Sequence, residues 1–268
     1  MKKVNLFLLV LAIFMASCGT TRTVPVTGRK QNLVVSDEQM LSLSTQQYNE
    51  YMKKAKKSTN TANTAMVQRV GKKLATAVET YLKQNGLANE LSGYKWEFNL
   101  VKDNSVNAFC MPGGKIVVYE GLLPVTKNET ALAIVLGHEI AHAVAKHSAE
   151  QLSKQYKQQV GMQIGSAVLS AAGMGANTSS LLEWATSKGL QLRNLKYSRD
   201  HENEADHMGL IFAAMAGYNP NEAVTFWQRM AAASGGSSSD FLSDHPSDAK
   251  RIENIKGWLP EALKYYKK

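Results

Sequence analysis

Apolar positions recur at three- and four-residue steps between Ala62 and Gln84, where Val67, Val70, Leu74, Val78 and Tyr81 trace one face of a helix that Gly86 would stop. A similar pattern predicts a helix from Asp37 to Lys57. Between Tyr94 and Leu100 the period changes to two, with Trp96, Phe98 and Leu100 on one side and Lys95, Glu97 and Asn99 on the other, which predicts a half-buried strand. Phe109-Cys110, the turn Pro112-Gly113-Gly114 and the run Lys115 to Tyr119 then predict a tight pair of short strands. Within that pair, Ile116, Val117 and Val118 are read as a sheet edge lining a cleft, able to bind an extended polypeptide as an added strand.

Thr126-Lys127-Asn128-Glu129 matches a capping box, and Leu132, Val135, Leu136, Ile140 and Val144 give the helix after it a broad apolar face. Further helices are predicted from Gln151 to about Ser170, from Ser179 to Leu195 and from Arg199 to Ala216, where Gly217 ends the last of them. Asn219-Pro220 should start another. Ala233 to Ser239 reads as a loop before a final helix containing Arg251. The expected fold is α+β, mainly α, with a small three-stranded sheet whose edge strand lines the active-site cleft.

The chemistry sits on the apolar helix as His138-Glu139-Ile140-Ala141-His142, an H-E-x-x-H element. Because a helix turns every ~3.6 residues, two histidines four apart share a face and reach one ion. Glu139 then lies beside the ion as a general base for water. A catalytic zinc takes three protein ligands. A third histidine in the H-E-x-x-H-x-x-G-x-x-H pattern would need glycine at 145 and histidine at 148. The chain has Ala145 and Ser148, and His147 falls one residue out of place. Glu202, four residues before Asp206 on a predicted helix, is the expected third ligand. Asp206 would accept a hydrogen bond from the far nitrogen of a ligand histidine. Two neutral imidazoles and one carboxylate leave one Zn2+ per chain with about one net positive charge, enough to stabilise an oxyanion.

Asn107-Ala108-Phe109, Pro112-Gly113-Gly114, Glu120-Gly121-Leu122-Leu123 and Gly137 to His142 together resemble the zinc metallopeptidase family of HtpX and the CAAX prenyl proteases. Ser198-Arg199 with Glu202, Glu204, Ala205 and Asp206, and then His245-Pro246 with Arg251-Ile252, continue the likeness. Val24 to Gln31 resembles the opening segment of that family's soluble bacterial lipoprotein branch. The resemblance implies a gluzincin endopeptidase with His138, His142 and Glu202 as ligands and Glu139 as base, engaged in cell-envelope quality control. Peptide hydrolysis on such a scaffold needs a second donor for the oxyanion. His245 is the candidate, either supporting the transition state or swinging onto the vacant zinc position and holding the enzyme off. Arg199 and Arg251 read as structural partners of the acidic helix.

The ends of the chain set the expected compartment. Lys2 and Lys3, an apolar run from Val4 to Met15 and then Ala16-Ser17-Cys18 read as a lipoprotein signal, with cleavage leaving Cys18 to carry lipid. The division expected is a signal peptide over 1–17, a membrane tether over 18–36, extended from Cys18 to about Asn32, and a single metallopeptidase domain over 37–268. The protein would then lie on the periplasmic face of a bacterial membrane, the outer one favoured. Cys110, the other thiol, reads as a buried small residue near the cleft. The formal net charge of +9 is scattered, without an aromatic-interleaved basic patch, so no nucleic-acid partner is expected. The reading is a membrane-anchored zinc endopeptidase cleaving unfolded or misassembled envelope proteins. The alternatives are a chaperone-like binding protein that uses zinc for structure and, more weakly, an exopeptidase.

Overall fold

The computed structural model describes residues 20–167, 179–233, 245 and 249–267. In chain order it holds β1 (Thr20–Thr23), β2 (Lys30–Leu33), α1 (Asp37–Lys54), α2 (Thr61–Gln84), β3 (Glu97–Val101), β4 (Ala108–Met111) and β5 (Lys115–Tyr119). These are followed by α3 (Glu129–Val144), α4 (His147–Ala167), α5 (Ser179–Ser187), α6 (Arg199–Met215), α7 (Glu222–Ala233) and α8 (Ala249–Tyr265). The fold is therefore mainly helical α+β, of the expected gluzincin type. No helix among the described residues is long and apolar enough to cross a membrane. The expected signal and Cys18, the loop after Ala233 and part of the glycine-rich stretch after Val160 lie outside the described residues.

The three-stranded sheet has the order β3-β5-β4, with β3 parallel and β4 antiparallel to β5. Ile116, Val117 and Val118 are thus in the central strand, which corrects their reading as an edge. All five residues of β5 are buried, and its alternate side chains enter two cores. Ile116 and Val118 join one with Leu74, Leu132, Leu136, Ile140, Phe212 and Trp227, while Val117 and Tyr119 join another with Leu33, Met40, Phe109 and Leu152. An uninterrupted apolar run is what a strand covered on both faces needs. The edge beside the helical layer is β4, and Gly113 and Gly114 connect it to β5 with φ of 86° and 80°. A Cβ on Gly114 would meet the Trp96 ring at 2.4 Å, so the turn also admits that side chain.

Two other expectations change. Thr126 does not cap α3, because it is buried in a preceding helical turn (Leu123–Thr126) and its hydroxyl donates to Leu123 O. Lys127 takes φ 65° and Asn128 caps instead, accepting from Ala131 N at 2.8 Å. The segment expected as an extended tether is folded from Thr20 onward. β1 and β2 pair antiparallel, Val24 is 1% exposed in the first core, and Leu33 and Val35 are buried in the second. A composition rich in Thr, Gly and basic residues hid these few apolar anchors.

α3 is buried on every side from Ala131 to Val144, as expected of a helix whose residues are apolar nearly all round. It crosses α6 at glycines. A Cβ on Gly137 would lie 2.8 Å from Gly209 O, and one on Gly209 would lie 2.7 Å from His138 N. This close approach brings the two functional helices together.

Candidate active site

His138 and His142 project from α3 into one buried space, with their Nε2 atoms 3.1 Å apart. α6, opened by the Ser198 side chain as N-cap, brings Glu202 against them. Glu202 Oε2 is 3.4 Å from His138 Nε2, and Oε1 is 3.3 Å from His142 Nε2. His245 completes the cluster, its Nδ1 lying 2.9 Å from Glu202 Oε2 and 3.1 Å from His138 Nε2. One donor atom from each of His138, His142, Glu202 and His245 lies within 4.8 Å of all the others, the single such group among the described residues.

The donor set fits zinc. Two imidazoles and a carboxylate are borderline ligands of the kind it takes, and His245 supplies a fourth donor. Glu202 Oε1 and Glu139 Oε1 are buried without a hydrogen-bond partner. Buried carboxylate oxygens are costly unless paired, and an ion among these atoms gives Glu202 Oε1 a partner. Burial alone would raise the Glu202 carboxyl, but His245, His142 and His138 hold it well below its ordinary range.

Around the donors, the far nitrogens are held. His138 Nδ1 donates to Asp206 Oδ1 at 2.8 Å. Arg251 donates from Nε to Asp206 Oδ2 at 2.7 Å and from Nη2 to Asp206 Oδ1 at 2.8 Å, while its guanidinium lies 3.4 Å over the Trp227 ring. Burial works against protonated His138, yet Asp206 and Glu202 outweigh it and raise this ring to about 9. Tyr197 stacks on His142 at 4.2 Å between ring centres. Arg251 is thereby the structural partner of the acidic helix that the sequence suggested, whereas Arg199 is exposed at the start of α6.

Glu139 is 4% exposed, with Oε1 3.5 Å from His245 Nε2. Burial pushes its carboxyl up and nearby His245 and His138 moderate the shift, the direction that suits a general base. Cys110, buried in β4, has its thiol pushed up by burial and by the nearby Glu139. This disfavours the thiolate and agrees with a packing role.

A second polar cluster lies behind His142, and the sequence reading missed it. His147, 0% exposed, has Nδ1 2.8 Å from His142 Nδ1 and Nε2 2.9 Å from Glu204 Oε2. Thr27 donates to Glu204, and Arg29 bridges Glu204 and Glu150 with contacts of 2.7 Å to each. Burial lowers His147 to about 4, leaving it neutral near pH 7. The break between α3 and α4 conceals this cluster from local sequence spacing. Lys146 takes φ 55°, so the chain turns there and a histidine five positions on returns beside His142, where a continuous helix would carry it away.

A groove of about 440 Å³ reaches His142 between Met40, Leu41, Tyr94, Pro112 and Lys146. A larger cavity of about 610 Å³, between α1 and residues 186–193, does not touch the histidines.

Residues 61–259 match Peptidase family M48. Mitochondrial metalloendopeptidase OMA1 of Schizosaccharomyces pombe is 37% identical over 187 residues, covering 69% of this chain and 53% of that protein. Metalloendopeptidase OMA1 of Homo sapiens is 31% identical over 245 residues, 90% of this chain and 46% of the human one. Metalloprotease LoiP of Escherichia coli is 29% identical over 190 residues, 68% of this chain and 72% of LoiP. The chain spans about half the length of these OMA1 relatives.

Proposed function

The chain belongs to peptidase family M48, whose metalloproteases use zinc, and from that premise we propose a zinc endopeptidase in which His138, His142 and Glu202 hold the ion and Glu139 is the base. The observation that carries this reading is the convergence of the two α3 imidazoles and the α6 carboxylate, within 4.8 Å of one another, beside a buried Glu139. When bound, zinc supplies Lewis acidity for a peptide carbonyl and for the attacking water. Glu139 takes the proton of that water and returns it to the leaving nitrogen, one carboxyl serving both half-steps. Asp206 fixes His138 with Nε2 facing the ion, and Arg251 keeps Asp206 ionised. His245 lies against Glu202 and His138, and these contacts support a resting role in which it would be a fourth donor to the ion. Substrate entry then requires His245 to withdraw, after which its ring can donate to the oxyanion.

The substrates proposed are extended, unfolded polypeptides of the cell envelope. The buried site favours a single threaded chain, and β4 offers the sheet edge against which one could lie, in place of β5. We further assign residues 1–17 to a signal peptide, Cys18 to lipid attachment and the rest to one domain that includes the β1–β2 hairpin. The proposed location is the periplasmic face of a bacterial membrane, the outer one favoured. Metal content measured together with casein cleavage, with and without a chelator, tests the reading. Stoichiometric zinc and chelator-sensitive cleavage are expected. Binding of unfolded protein without cleavage would favour the chaperone-like alternative.

A further inference from the structure

We infer that His147 is a positioning residue that ties the second zinc histidine to the N-terminal hairpin, through a relay from His142 to His147 to Glu204 to Thr27 and Arg29. The inference rests on His142 being a ligand, as proposed above. His142 directs Nε2 toward Glu202 and His138, so Nδ1 is the nitrogen left to carry its proton. That N–H points at His147 Nδ1, 2.8 Å away, which must accept. His147 then carries its own proton on Nε2 and donates it to Glu204 Oε2 at 2.9 Å. One tautomer of each ring satisfies the whole chain.

The relay parallels the other side of the site. His138 reaches a carboxylate directly at Asp206, anchored by Arg251. His142 reaches one through an intervening imidazole, at Glu204 anchored by Arg29. Outer-shell partners of this kind orient the ligand ring and typically account for about 10–100-fold in metal affinity. Thr27 and Arg29 lie in the turn between β1 and β2, where Val26 and Gly28 adopt φ of 67° and 71° and Val24 N donates to Arg29 O at 2.8 Å. The turn is thus shaped to present a hydroxyl and a guanidinium to α6. Because Arg29 also grips Glu150 on α4, the hairpin clamps two helices behind the ligand. The Val24-to-Gln31 motif gains a role in holding the metal site.

Nitrogen-15 spectra of the zinc-loaded full chain test the relay without any substitution. The expected pattern is His142 protonated at Nδ1 and His147 protonated at Nε2 alone. A His147 protonated at Nδ1 would overturn the relay. Zinc affinity, measured by competition with a chromophoric chelator, should fall by about 10–100-fold in His147→Ala and to a smaller extent in Arg29→Met. Unchanged affinity in a folded His147→Ala protein overturns the relay while leaving the ligand assignment standing. If His142→Ala binds zinc as well as the parent chain does, the ligand assignment itself fails and the relay falls with it.

Discussion

Asp206 Oδ1 lies 2.8 Å from His138 Nδ1, so the helix that carries Glu202 also orients the His138 ring. The same carboxylate is the ion-pair partner of buried Arg251. Asp206→Asn should therefore lower zinc affinity by about 10–100-fold and destabilise the protein by roughly 3–5 kcal/mol, the usual cost of leaving one member of a buried pair uncompensated. Chelator competition and urea unfolding read the two effects separately. Loss of stability with unaltered zinc affinity would confine Asp206 to a structural role.

His245 is placed among the donors at 2.9 Å from Glu202 and 3.1 Å from His138. Its replacement by alanine should leave a three-ligand site that retains zinc, releases it faster to a chelator and turns over an unfolded substrate several-fold faster at rest. Slower turnover with intact zinc binding would make donation to the oxyanion its dominant role. Activity and zinc affinity both unchanged would remove His245 from the site.

The contact of α3 with α6 leaves no room for a methyl group. In Gly209→Ala the added Cβ would sit 2.7 Å from His138 N, pushing Glu202 away from the histidines as the helices separate. The expected cost is about 1–3 kcal/mol, together with a weaker zinc site. Thermal unfolding of apoprotein and chelator competition on the same variant check both. A variant that matches its parent in each would show that the helix pair adjusts freely.

Glu150 gives a pH signature remote from the donor atoms. Burial alone would raise its carboxyl, but hydrogen bonds from His201 and Arg29 bring it to about 2, below the ~4.3 of an unfolded glutamate. A depressed folded value stabilises the fold above the unfolded value, and the contribution is lost as pH falls from ~4.3 toward about 2. Glu150→Gln should therefore unfold at a lower temperature than its parent from pH 8 to pH 5, with the gap closing below that. A gap independent of pH down to pH 2 would contradict the ion-pair account.

What the sequence disclosed was whatever depends on local period. Val67, Val70, Leu74, Val78 and Tyr81 are all buried on α2, and the α3 motif with Glu202 on α6 comes together as the spacing implied. What it concealed depends on contacts distant along the chain. Ile116 to Val118 could be placed in a strand but not at its centre, because only the tertiary fold decides which strand has two neighbours. His147 became informative once the left-handed Lys146 broke the helix register. Arg29 meets Glu204 across a separation of 175 residues, which no local pattern reports.

The proposed mechanism stands on Glu139 as the base of a zinc-dependent peptidase. The most direct test is casein cleavage by the parent chain and by Glu139→Gln, each with its zinc content measured in the same preparation. Equal zinc is expected in both, with a loss of turnover of at least ~10²-fold in the variant, the range for removing a positioned base. Retained turnover in zinc-loaded Glu139→Gln would contradict it.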